Sequence, residues 1–124
     1  MIYICAYLSV FMLVGHLIFG MKLYLKPMCS SNTEETAKNV MHAVFHYITI
    51  AMSLSSIYLI SFAHNLFPIS VDVIGFIGFF YLACGVLQII MAYISSGIKG
   101  LTKMFQWTMF LPIGILALLV AFAG

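Results

Sequence analysis

The chain has 124 residues, with five basic residues, all lysine, against three acids, for a net charge of +2. Sixty-five per cent of it is hydrophobic, only 6% is charged, and the mean hydropathy is +1.18. That leaves too little polar surface to cover a water-exposed globule, and too little positive charge to track a phosphate backbone, which excludes nucleic acid as a partner. The expectation is a single all-α integral membrane domain whose main partner is the lipid bilayer.

A first apolar span is predicted over about residues 2–24, ending where Lys22, Lys26 and Pro27 appear. Some twenty residues at ~1.5 Å rise cross a ~30 Å hydrocarbon layer. Residues 1–19 carry neither a basic n-region nor a small-residue cleavage site, so the segment is expected to be retained rather than removed as a signal peptide. Its less apolar seam reads Cys5, Ser9, Met12, His16 and then Phe19 or Gly20. The hydrophilic loop over residues 26–38 contains Asn32 followed three residues later by Glu35, the spacing of a capping box, which predicts a second helix starting near Thr33.

The second span, about residues 36–63, carries a polar line at alternating three-and-four spacing: Asn39, His42, His46, Thr49, Ser53 and Ser56. Hydrocarbon offers these groups no hydrogen-bond partners, so the line is expected to face other helices or a cavity. The cluster at residues 64–68, ending in Pro68, stops the helix. A third span follows over about residues 71–95, capped by Ser70, with Asp72 suited to the positive end of the helix dipole. Gly75, Gly78 and Gly85 predict close approach by a neighbouring helix, and Gln88 is its strongly polar interior residue. A tight loop at residues 96–100 leads to a fourth span, about residues 101–123, in which Pro112 frees the carbonyl of Thr108.

Four spans joined by short loops predict an up-down-up-down four-helix bundle. Lys22, Lys26, Lys38, Lys99 and Lys103 then all fall on the side of loops 1 and 3. By the positive-inside pattern those loops are cytoplasmic and both termini lie outside, as for a protein of the bacterial inner membrane. Trp107 and Tyr24 are expected at the cytoplasmic interface, His64 at the opposite one.

By the helical rise, His16 lies ~9 Å from Lys22, and His42 and His46 lie ~6 and ~12 Å from Lys38. Gln88 and Gln106 reach a similar depth, so every span contributes a polar group to one cytoplasmic layer. Imidazoles at i and i+4 on one face chelate transition metals, and histidines from two helices can bind a haem iron axially. His16, His42 and His46 are therefore the candidate ligands, for haem b or alternatively for copper, iron or zinc, with Asn39, Thr49, Ser53, Ser56, Gln88 and Gln106 as the polar lining. Met21, Met41 and Met104 could add soft ligands for copper(I). Cys5, Cys29 and Cys84 are widely spaced and odd in number, so neither a disulfide framework nor a cysteine zinc site is indicated.

Two other readings account for the same residues. The polar layer can be a packing device in a non-enzymatic accessory or assembly protein, since such groups hydrogen-bond across membrane helices without any ligand. Alternatively Thr49, Ser53 and Ser56 can line a conduit for protons or a small ligand. No nucleophile-base pair, phosphate-binding glycine loop or carboxylate pair is readable, so hydrolytic mechanisms that need a buried carboxylate have no candidate and the sequence leaves open whether the chain is an enzyme. The helix glycines suit either a homo-oligomer or a membrane-complex partner.

His16, Gly20, Pro27 and the run of residues 40–46, Val-Met-His-Ala-Val-Phe-His, resemble a set of small uncharacterised four-span bacterial membrane proteins. Those proteins have a first-helix histidine and glycine, a proline after helix 1 and an aromatic-histidine pair in helix 2, here Phe45 and His46. The resemblance covers roughly the first half of the chain. It implies a four-helix membrane protein and singles out His16 and His46, with no activity attached.

Overall fold

The structure, a computed structural model, describes residues 1–123. Among the described residues it is all-helical, with five helices and no strand. The first, α1 (Ile2–Cys29), is an ordinary α-helix over Ile2–Gly15, widens to a π-helix over His16–Leu25 and closes with the α-turn Lys26–Cys29. Its buried positions step by three and four at first, through Cys5, Ser9 and Met12. They then step by four and five, from half-buried His16 to Gly20 and Leu25. The longer step is what an i→i+5 pattern requires, seen in the Lys26 N–H donating to the Met21 carbonyl. Widening thus keeps one face of α1 turned to the same neighbour, and it resolves the seam in favour of Gly20, since Phe19 is exposed.

The second helix, α2, spans Glu35–Ala63 and begins two residues later than the sequence predicts. The Asn32–Glu35 capping box does not form. Ser31 organises this loop instead, its hydroxyl donating to the Met28 carbonyl at 2.6 Å and accepting from the Thr33 N–H at 3.4 Å. Short polar side chains compete in this way with helix initiation. At the other end Asn65 takes a left-handed conformation, φ 52°. The Leu66 N–H reaches the Ser61 carbonyl at 2.9 Å and the Asn65 N–H the Phe62 carbonyl at 3.3 Å. These two bonds make a Schellman closure with asparagine in glycine's usual place.

The third helix, α3 (Val71–Ser96), is capped as predicted, the Ser70 hydroxyl accepting from the Asp72 N–H at 3.2 Å. It ends at Gly97, φ 61°, after which a short helix α4 (Ile98–Lys103) turns back. The last helix, α5 (Trp107–Ala123), contains Pro112. The chain after the third span is therefore broken at residues 104–106 rather than being one helix from residue 101. The break follows from Gly100, where any Cβ would collide with the Ala92 carbonyl, so that α4 lies directly on the end of α3. The Trp107 indole then donates to the Leu101 carbonyl at 3.0 Å and holds the corner.

Packing joins two antiparallel pairs. In the first, Tyr7 of α1 meets His64 beyond the end of α2, while Gly20 meets Phe45. In the second, Gly75 of α3 faces Ala121 of α5, Gly78 faces Leu118 and Gly85 faces Leu111. The pairs are joined by α1 against α5, where the Cys5 thiol donates to the Ile113 carbonyl at 3.5 Å, whereas α2 and α3 scarcely meet. Cys5, Met52, Leu59, Ile74, Tyr81 and Ile113 make the fully buried centre. Three helices, α1, α2 and α3, are long and apolar enough to cross a membrane. The 17 residues of α5 extend ~25 Å at the helical rise.

Between α3 and α5, backbone proximity is greatest at Gly114, where a Cβ would lie 2.7 Å from the Leu82 nitrogen and 3.0 Å from the Gly78 carbonyl. Gly114→Ala is expected to destabilise the fold by ~1–3 kcal/mol through overpacking against backbone that cannot yield. Gly15→Ala, which meets nothing within 4 Å, should be neutral or slightly stabilising. Denaturation in mild detergent measures both, and equal effects would contradict this packing.

Candidate functional site

Most of the polar residues expected to form one layer fall into separate pairs. On α1, His16 stacks on Phe45 of α2, with ring centroids 4.2 Å apart and an interplanar angle of 17°. Gly20, one turn further along α1, makes room for that ring: a Cβ there would lie 3.0 Å from it. The His16 Nε2 stands 2.9 Å from the Thr49 hydroxyl. When the single Thr49 proton goes to the Phe45 carbonyl, 3.1 Å away, His16 donates to Thr49 from Nε2 and keeps its lone pair on Nδ1.

On α2, His42 and His46 face each other one turn apart, their Nε2 atoms 3.2 Å from one another and their ring centroids 5.0 Å. His42 is exposed and His46 half-buried. Phe45 stands edge-on to His46 at 5.5 Å, so a single aromatic side chain is in contact with both His16 and His46. The third pair joins α3 to the turn before α5, where the Gln88 amide donates to the Gln106 carbonyl oxygen at 3.1 Å.

The remaining members of the α2 line behave differently from one another. Asn39 is exposed. Ser53 donates to the Thr49 carbonyl at 2.7 Å, tied to its own helix. Ser56 is buried, and its hydroxyl finds no partner among the described residues; the same holds for the hydroxyl of Tyr81. An orphaned buried hydroxyl costs ~1–3 kcal/mol.

Three-ligand convergence of His16, His42 and His46 is absent from this geometry. No group of three or more His, Cys, Asp or Glu side chains able to hold a metal is present among the described residues. The Nε2 of His16 instead meets the Thr49 hydroxyl, and its ring face lies against Phe45. The Nε2 atoms of His42 and His46 stay 3.2 Å apart, a separation that would subtend roughly 100° at an ion held at the ~2.0–2.1 Å of a zinc–imidazole bond.

Sequence reasoning missed the Phe45 stack, although a glycine one turn after a histidine is the trace such a ring leaves. It also missed the opposite end of the bundle, where the Tyr7 hydroxyl meets His64 Nε2 at 3.0 Å and Tyr3 stands edge-on to the same ring at 5.3 Å. At the lysine-bearing end the Tyr24 hydroxyl donates to the Lys103 carbonyl at 2.8 Å and ties α1 to α4. No family model, curated protein or solved structure matches the chain.

Proposed function

We propose that this chain is a four-span integral membrane protein that binds a transition-metal ion through His42 and His46. The observation that carries the reading is the 3.2 Å separation of the two Nε2 atoms, which suits bidentate imidazole coordination on one helical face. Zinc and copper are the ions favoured, since imidazole suits both and copper stands highest in the affinity order. His16 is assigned a different task. Its bond to Thr49 and its stack on Phe45 orient α1 against α2, and the Gln88–Gln106 bond does the same for α3 and α5, at ~0.6 kcal/mol for a membrane hydrogen bond. The packing reading therefore accounts for those four polar residues, and the metal reading for the histidine pair. A conduit is not part of the proposal, because the hydroxyls of Thr49 and Ser53 donate to carbonyls of their own helix and so do not form a relay.

In this reading α1, α2, α3 and α5 are the spans of an up-down-up-down bundle, with α4 at the cytoplasmic surface beside the lysines. All five lysines lie on the loop 1 and loop 3 side, which supports an inner-membrane orientation with those loops cytoplasmic. Cys29, exposed at the end of α1, reports the orientation. A membrane-impermeant maleimide should label it in inside-out vesicles and leave it unlabelled in intact spheroplasts; the reverse pattern overturns the topology.

For the metal, titration of detergent-purified protein with zinc and with copper should give binding that falls at least about tenfold in His42→Ala and in His46→Ala, the loss even an outer-shell partner can cause. His16→Phe should bind as the parent does. Metal affinity unaltered by either α2 substitution overturns the assignment.

A further inference from the structure

Two imidazoles are half of a tetrahedral set. Within the chain no other His, Cys, Asp or Glu completes it among the described residues, and the Nε2 of His16 is engaged by the Thr49 hydroxyl at 2.9 Å. Water is a poor substitute at this level. His46 lies ~12 Å along the helix from Lys38 and hence well into the hydrocarbon layer, where water is scarce.

A bilayer supplies a further constraint that a solution does not. Every copy of the chain is inserted with one orientation and at one depth, so a second copy brings its own His42 and His46 to the same level as the first. A twofold axis along the membrane normal, the commonest symmetry of homo-oligomers, then makes the two pairs face each other. The surface around the pair permits this approach. On the same face of α2 stand Asn39, Ala43 and Ile50, none of them buried and none charged. The next charge on that helix, Lys38, has its Nζ 4.0 Å from a Glu35 carboxylate oxygen, which reduces repulsion between two copies.

From this geometry we infer that two copies of the chain join through α2 and that His42 and His46 of each copy together form one four-imidazole metal site. The inference rests on the metal reading above and adds the source of the missing ligands. It assigns one ion to two chains, and it makes the dimer depend on the ion.

The test uses the full chain in detergent micelles and again in lipid nanodiscs. Zinc is titrated while bound metal is counted per chain, and the protein mass is followed by light scattering with zinc or with EDTA. The inference predicts saturation at one zinc for two chains, a doubling of protein mass with zinc, and reversal by EDTA. The double substitution His42→Ala/His46→Ala should remain monomeric in both conditions with unchanged helical circular dichroism. Saturation at one zinc per chain without a change of mass overturns the dimer and leaves the metal reading standing. A dimer that persists in EDTA or in the double variant also overturns it. Absence of zinc and copper binding altogether removes both.

Discussion

Three helices of this molecule are long and apolar enough to cross a membrane, and in the proposed membrane setting the hydrocarbon would accept no hydrogen bonds. A polar side chain on such a helix is then favoured where it finds its partner within protein or leaves the lipid-facing surface. On α2 three hydroxyls do so by turning back on their own helix: Thr49, Ser53 and Ser55 each donate to the carbonyl four residues earlier. With its proton on that carbonyl, Thr49 is an acceptor for His16 Nε2, 2.9 Å away. His42 and His46, with nothing on α1 to engage them, are left to each other.

The same setting would explain why packing depends on small residues. Lipid tails are as apolar as leucine, so helices among them would gain little by hiding leucine and must instead approach closely enough for dispersion to differ. The α3/α5 contact does this through Gly78, Gly85 and Gly114, each of which would place a Cβ within 3.0 Å of the opposite helix. The α1/α2 contact uses a different device. Gly20 receives an aromatic ring rather than a backbone, and the π-helical stretch from His16 to Leu25 keeps that glycine aligned with Ser9 and Met12 on one face.

Much of this architecture is legible in the residues. Apolar length places the long helices, Ser70 and the asparagine-proline turn delimit α3 and α2, and the glycines of α3 announce a close neighbour. Two features are hidden for definite physical reasons. The break before α5 comes from Gly100 pressing on the Ala92 carbonyl, a tertiary contact with no local signature, since residues 101–123 alone read as a continuous apolar helix. The capping box fails because Ser31 offers the loop an alternative set of bonds. For the histidines, spacing puts His42 and His46 on one face of α2, where their Nε2 atoms lie 3.2 Å apart, but spacing says nothing about the direction of His16. Which way His16 points is decided by the threonine one turn from Phe45.

The central claim is that the histidines divide into a structural one and a coordinating pair. Nitrogen-15 NMR of imidazole-labelled protein measures that division directly, because the two ring nitrogens report protonation and metal contact separately. With zinc added, the account predicts that Nε2 of His42 and His46 shifts to the position of a metal-bound nitrogen while His16 keeps its proton on Nε2. Loss of the His16 Nε2 proton together with a metal-bound signal from that ring would contradict it.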